Sequence, residues 1–299
     1  MITRTKEFKP DVAQIITNQI IDAMEMGVIS WQKPWKTSLP MNLVSGKQYH
    51  GINLLILALA PFSNPYWITF NQVEALGGKV KPGSKASRIV YWRLLEHINA
   101  QSGEITEVPL MRYYCVFNLE QTLDIPEDKI PQIGNDINPI EACEEVFANM
   151  PNKPEVIGSR SAYYDRHEDV IGMPAREWFD SPEEFYSTLW HEAVHSTGHQ
   201  KRLDRDNSYD KAKFREAYSN EELIAELGSS FLCAYAGISP MVIKNQAAYC
   251  EHWLKRLKGD KKLIIYAASA AQKAVDYIRH EPGQINYNAC TWLGDYFNI

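Results

Sequence analysis

The stretch "TLWHEAVHSTGHQKR", residues 188–202, decides how this chain is read. His191 and His195 are four residues apart, a spacing that on a helix puts both imidazoles on one face, one turn from each other. Glu192 lies between them and completes the pattern H-E-x-x-H. Two imidazoles so placed can hold one Zn2+, and the intervening carboxylate can take a proton from an attacking water. The bare pattern also arises by chance on surface helices, so its surroundings carry the weight. "SPEEFYSTLWHEAVHSTGH" begins as a helix should, with Ser181 as N-cap, Pro182 at the first helical position and Glu184 three residues after the cap. Phe185, Leu189, Ala193 and Val194 give that helix an apolar side. His191 and His195 therefore read as metal ligands and Glu192 as a catalytic base.

A catalytic zinc site usually has three protein ligands and an open position. The metzincin pattern would need a histidine at position 201, where this chain has Lys201, and His199 falls at the wrong spacing. Downstream, "SNEELIAEL" predicts a second helix capped by Ser219 or Asn220, with Glu222 and Glu226 on one face. Gly228, Ser229 and Ser230 follow and point to close packing of that helix. The order of strand, H-E-x-x-H helix and E-x-x-A-E helix resembles the gluzincin arrangement. That resemblance implies Glu222 as the third ligand and Glu226 as support for a histidine, with the reverse assignment open. "DVIGMP" is the candidate edge strand for an extended peptide. Tyr163, Tyr164, Tyr209 and Tyr218 are the candidates for stabilising an oxyanion.

Outward from this motif, 299 residues with 45% hydrophobic and 23% charged composition predict two globular domains of ordinary size. The polar start of the sequence carries no apolar leader, and no apolar run approaches the ~20 residues a membrane helix needs. The five cysteines are scattered, with no C-x-x-C pair, which points to reduced thiols and a cytoplasmic protein away from membranes. The fold class is α+β. An N-terminal α+β nucleic-acid-binding domain is expected over 1–125, a linker over 126–153 and a C-terminal zincin-like metallopeptidase domain over 154–299.

Charge divides the halves. Residues 1–125 carry a formal +2 and the remainder −8, and within 31–93 eight basic residues stand against the single acid Glu74. Nine aromatics share that window. Cations that track phosphates, interleaved with rings on which bases stack, suit single-stranded nucleic acid. Trp31, Lys33, Trp35 and Lys36 in "SWQKPWK", with Lys79, Lys81, Lys85 and Arg88 in "GGKVKPGSKASR", are the candidate DNA contacts, and Trp31 and Trp35 are expected to be exposed. Locally, residues 10–29 predict a helix ended by Gly27, "GINLLILALA" a buried helix, and "WITFNQVEAL" a short helix. The segments around Tyr91 and Tyr114 predict a hairpin looped at "EHINAQSGEITE".

Together these motifs resemble the ArdC antirestriction family of plasmids and other mobile elements, and the likeness covers nearly the whole chain. It rests on "GVISWQKPW", "GKQYHGINLLIL" and "YYCVFNLEQT" in the first half, and on "AYYDRHEDVIGMP", "LWHEAVHSTGH", "RLDR" and "EELIAELGSSFLC" in the second. The resemblance implies a single-stranded-DNA-binding domain fused to a zinc metallopeptidase domain, in a protein that protects incoming DNA from host restriction during conjugation. It implies Zn2+, or another divalent metal such as Mn2+, together with single-stranded DNA and an unidentified protein substrate. Two other readings share these residues: a DNA-tethered zinc protease that removes DNA-bound proteins, and a single-strand-binding module whose metal is only structural.

Overall fold

The computed structural model describes residues 11–32, 39–98, 105–131, 138–205, 214–240 and 246–280; for 92–98, 105–110, 214–218 and 246 it describes the backbone alone. The first helix, α1 (Val12–Glu25), starts where the Asp11 side chain accepts the backbone N–H of Gln14 and stops just before Gly27, whose φ of +80° takes the left-handed turn expected of it. Then come β1 (Met41–Asn42), α2 (Ile52–Ala58), β2 (Tyr66–Thr69), α3 (Phe70–Ala75), β3 (Lys79–Val80), β4 (Ser87–Ile98), β5 (Ile105–Asn118) and β6 (Thr122–Leu123). "YWIT" thus forms β2 before the helix, and Thr69 and Gln72 form the capping box that starts α3. Four strands make a sheet in the order β1-β2-β5-β4, and β3 pairs with β6.

The β4–β5 hairpin runs antiparallel from Ser87↔Val116 to Ile98↔Ile105. Glu96 and His97 pair with Glu107 and Thr106, so most of the stretch expected as a loop is strand. Polar residues alternate there as readily as in a turn, and continuing the ladder satisfies their backbone groups. At the outer edge of β4, the Asn53 side chain accepts the N–H of Val90 at 2.7 Å and donates to its carbonyl at 3.0 Å. One side-chain amide from α2 therefore caps that part of the edge.

The second half holds α4 (Pro139–Ala148), β7 (Glu155–Gly158), β8 (Tyr163–Asp165), β9 (Val170–Met173), α5 (Pro182–Ser196), α6 (Phe214–Ala236), α7 (Gln246–Gly259) and α8 (Leu263–Arg279). The sheet order is β7-β9-β8. "DVIGMP" therefore supplies the central strand, hydrogen-bonded on both sides, and β7 and β8 are the edges. Likewise α6 begins at Phe214, so Ser219 and Asn220 sit inside it and cap nothing; both are weak helix formers but not breakers.

One continuous apolar core runs through both halves, from Ile16, Ile20, Trp31, Leu55 and Ile89 to Val194, Leu223, Phe231, Ala267 and Ile278. α1 packs on α7 and α8, and α2 packs on α8. The Gly51 N–H donates to the Gln272 side chain at 2.9 Å and the Thr17 hydroxyl to the Lys261 carbonyl at 2.6 Å, which fixes the register between halves. Within 126–153, α4 buries Cys143 against this same core. No helix among the described residues is long and apolar enough to cross a membrane.

Candidate metal centre

α5 forms as its cap predicts: Ser181 Oγ accepts the Glu184 N–H at 3.1 Å, and the Glu184 carboxylate accepts the Asp180 N–H at 2.9 Å. Its apolar side, including Leu189, Trp190, Ala193 and Val194, is buried, which turns His191 and His195 towards α6. The approach of α6 is close because residue 228 is glycine. A Cβ there would lie 2.7 Å from a methyl of the buried, β-branched Val194, with no room to shift. Ser229 Oγ donates to the Ser187 carbonyl at 2.7 Å and locks the pair of helices.

That contact sets Glu222 beside the two imidazoles. One ligand atom each from His191, His195 and Glu222 lies within 4.8 Å of the others. The two Nε2 atoms are 3.1 Å apart, and the Glu222 oxygens lie 3.4 Å from His191 Nε2 and 3.6 Å from His195 Nε2. Tetrahedral coordination with metal–nitrogen bonds of ~2.05 Å puts donor atoms about 3.3 Å apart. The three donors therefore fit a zinc-type divalent ion, with a fourth position left for water or substrate.

The surrounding groups hold this set in place. Glu221 carries a carboxylate 3.6 Å from His195 Nδ1, and Arg205 clasps Glu221 through two nitrogens, at 2.5 and 3.2 Å. Arg205 also donates to the Val194 carbonyl and to Thr197 Oγ1, so it ties the end of α5 to α6. Burial disfavours charge on His195, but its carboxylate neighbours Glu221 and Glu222 outweigh that and push its pKa up to about 9. Burial works against the charge of Glu222 as well, yet His191 and His195 hold that carboxyl well below the usual range. A divalent cation at this site takes the place of the proton that these carboxylates favour on His195, since only the neutral imidazole can ligate.

Glu192 is buried, 8% exposed, and burial pushes its pKa up against the pull of His191 and His195; the nearby backbone N–H of Tyr164 on β8 acts in the same direction as the imidazoles. β8 is in turn anchored by Arg202, whose fully buried guanidinium pairs with Asp169 and donates to Tyr164 Oη at 3.1 Å, the Ser196 carbonyl at 2.6 Å and the Asn152 carbonyl at 2.7 Å. Tyr164 thereby spends its hydroxyl on Asp169 and Arg202, while Tyr163 packs its ring against Gly172. Tyr209 and the side chain of Tyr218 lie outside the described residues. His199 is buried, 3.9 Å from Asp169, and is no part of the ligand set.

Two expectations need correction. Glu226 does not reach the histidines: its carboxylate accepts the Trp31 indole N–H at 3.3 Å and the hydroxyl of Tyr249, and the acid beside His195 is Glu221. Helical spacing alone put Glu226 on the Glu222 face but left Glu221, one residue earlier, unnoticed. Trp31, in turn, is 2% exposed, with its N–H bonded to Tyr249 Oη at 2.8 Å, so it presents no face to a base. Its ring fills the seam between the halves, a placement set by tertiary packing that a basic local sequence conceals.

Lys33, Trp35 and Lys36 lie outside the described residues. Lys79, Lys81, Lys85 and Arg88 are all exposed; Lys81 donates to the Glu120 carbonyl at 2.6 Å, and Arg88 sits over the Tyr113 ring at 5.7 Å.

Comparison with known proteins places both halves. Residues 141–270 match the zincin-like metallopeptidase family, and residues 10–117 match the N-terminal domain of anti-restriction factor ArdC. The crystal structure of the antirestriction ArdC protein from plasmid R388 in its metal-free form superposes with a TM-score of 0.75 at 36% identity, covering 91% of this chain and 97% of that one. The Mn(II)-bound form of the same protein gives 0.73 at 34% identity, with 92% and 100% covered. An uncharacterised protein of Sinorhizobium fredii is 31% identical over 95% of this chain and 97% of its own length. A DNA primase TraC of Escherichia coli is 31% identical over 91% of this chain, but the chain spans only 20% of that primase.

Proposed function

The chain belongs to the ArdC antirestriction family, and from that premise we propose that it binds single-stranded DNA through its first domain and hydrolyses a protein through its zincin-like second domain, protecting incoming plasmid DNA from host restriction. The observation that carries the enzymatic part is the convergence of His191, His195 and Glu222 within 4.8 Å beside the buried Glu192. A site that held metal only for stability would use a fourth protein ligand and would have no need of a buried carboxylate with a raised pKa.

His191, His195 and Glu222 are the ligands in this reading, and the Mn(II)-bound state of the R388 relative supports a divalent ion, Zn2+ or Mn2+. When bound, such an ion acts as a Lewis acid on a carbonyl and lowers the pKa of a coordinated water. Glu192 takes the proton of the attacking water and returns it to the leaving amine, two tasks that a raised pKa serves better than an ordinary carboxylate. Glu221, held by Arg205, orients His195. β8, an edge strand whose Tyr164 backbone lies near Glu192, is the strand along which an extended peptide aligns. The match to the ArdC N-terminal domain supports a nucleic-acid role for the first half, as do its exposed basic residues.

Restriction protection by the wild type and by Glu192→Ala, measured on the same incoming DNA, tests the reading. Loss of protection in a variant that still binds metal and DNA supports peptidase action. Full protection by that variant would remove peptide hydrolysis from the antirestriction function.

A further inference from the structure

We propose that the open face of the β4–β5 ladder at Arg88, Tyr113 and Cys115, fed by Lys81 and Lys85 on the turn before β4, is the platform on which a base of single-stranded nucleic acid stacks. This rests on the single-strand reading of the first domain and names the surface that reading needs now that Trp31 is buried.

Strand register defines the face. Arg88 lies opposite Cys115 and Val90 opposite Tyr113, so these four side chains share one side of the sheet. The alternate residues point the other way: Ile89 and Val116 lie in the core, Tyr114 packs against it, and the buried Tyr91 meets Tyr114 edge to face. Val90 is buried, but Tyr113 across from it (36% exposed) and, nearer the turn, Arg88 and Cys115 all reach solvent. Arg88 lies diagonally from Tyr113 with its guanidinium 5.7 Å from the ring centre. The ring therefore has a cation beside it and is partly open to solvent. A base stacked on it would bring its phosphates within reach of that cation.

Charge favours the same occupant. From Lys79 to Arg93 the chain has five basic residues and no acid. The nearest acid across the turn, Glu120, spends its carboxylate on the N–H groups of Ser63 and Asn64, at 2.8 and 2.7 Å. Lys81 is pinned by its own bond to the Glu120 carbonyl, while the exposed Lys85 stands three residues before Arg88. A duplex, whose bases are already stacked on each other, offers this ring nothing.

The full-length protein tests the proposal in a titration with fluorescein-labelled oligothymidylate, read by anisotropy. Tyr113→Ala should weaken binding by about 5- to 150-fold, the range that loss of one stacked base gives. Tyr113→Phe should bind like the wild type, because the ring and not the hydroxyl carries the contact. Arg88→Ala should flatten the log–log salt dependence by about 0.7 per lost phosphate contact. In the wild type, saturating oligothymidylate should slow alkylation of Cys115 by iodoacetamide, followed by peptide mass mapping; this measurement needs no variant and stands even if Tyr113→Ala fails to fold. Unchanged affinity in a folded Tyr113→Ala, or equal alkylation of Cys115 with and without DNA, would overturn the platform while leaving single-strand binding intact. Absence of binding by the wild type would overturn both.

Discussion

The indole N–H of Trp31, from the first half of the chain, donates to the carboxylate of Glu226, 3.3 Å away and one helical turn past Glu222 on α6. The same N–H meets Tyr249 Oη on α7 at 2.8 Å, and that hydroxyl is bonded to Glu226 in turn. Three residues from three parts of the sequence thus close a partly buried polar cluster between the first domain and the helix that carries a candidate ligand. A polar cluster in such a place is stable only while every member is satisfied.

Trp31→Phe keeps an aromatic ring but removes the donor and leaves a small cavity where the pyrrole ring stood. Glu226 and Tyr249 then lose a partner in a partly buried site, which together with the cavity should cost about 1–3 kcal/mol of stability. Thermal unfolding should show a lower Tm, and oligothymidylate affinity of the folded variant should be unchanged. A wild-type Tm together with weaker DNA binding would restore Trp31 to the role its sequence suggested.

Glu226 gives a pH prediction. Burial pushes its pKa up to about 8. Between its ordinary value near 4.5 and about 8, the folded protein keeps the proton while the unfolded chain releases it, so this group makes stability fall as pH rises. Glu226→Gln keeps the shape without the charge and should remove that slope. In metal-free protein, denaturant unfolding at several pH values from 5 to 9 should give a flatter profile for the variant, with its advantage greatest at the alkaline end. A slope as steep as the wild type's would clear Glu226 of responsibility.

Metal affinity should rank the acids by their distance from the imidazoles. His191→Ala and Glu222→Gln should lose most of the bound ion, about one equivalent in the wild type by elemental analysis. Glu221→Gln acts only through His195 and should weaken binding by about 10–100-fold. Glu226→Gln should do least. If Glu226→Gln instead lost more metal than Glu222→Gln, the ligand assignment would reverse.

The sequence made the metal helix readable because its signals are local: the Ser181 cap, the four-residue histidine spacing and the apolar side all lie within one element. Glu222 was readable for the same reason, through the period of the next helix, and Gly228 signalled the close approach that brings the two helices together. Glu221 and Arg205 were not, because their meeting spans sixteen residues and depends on how α6 packs. Trp31 misled for a related reason. A tryptophan among lysines has the composition of a nucleic-acid contact, yet burial is decided by α7 and α6, more than 190 residues away in sequence. The edge of a sheet is equally invisible locally: "DVIGMP" looks the same whether it lies in the centre or outside, and only β7 pairing to it in parallel put it in the middle.

The clamp between Arg202 and Asp169 supports the last prediction, because it connects stability in acid to the position of Glu192. The Arg202 guanidinium is fully buried and the Asp169 side chain is 11% exposed. Burial alone would raise the Asp169 pKa, but its bonds from Arg202, Tyr164 and Lys201 win and bring it down to about 2. A carboxylate with a depressed folded pKa contributes stability above its unfolded value near 4, and that contribution fades as pH falls towards 2. The shift corresponds to about 2 kcal/mol. Asp169→Asn should therefore abolish this part of the acid sensitivity and, at neutral pH, cost about 3–5 kcal/mol because a buried cation is left without its partner. The consequence should extend to the site. Asp169 and Arg202 hold Tyr164, whose nearby backbone N–H helps to set the pKa of Glu192. A folded Asp169→Asn protein should bind metal with nearly unchanged affinity, since no ligand is touched, yet the group that titrates as the base should do so at a shifted pH. Urea unfolding from pH 2 to 7 measures the first effect, and the pH profile of protein cleavage, once a substrate is in hand, measures the second. Wild-type stability at pH 7 in Asp169→Asn would mean that Arg202 finds another counter-charge, and that the clamp does not govern β8.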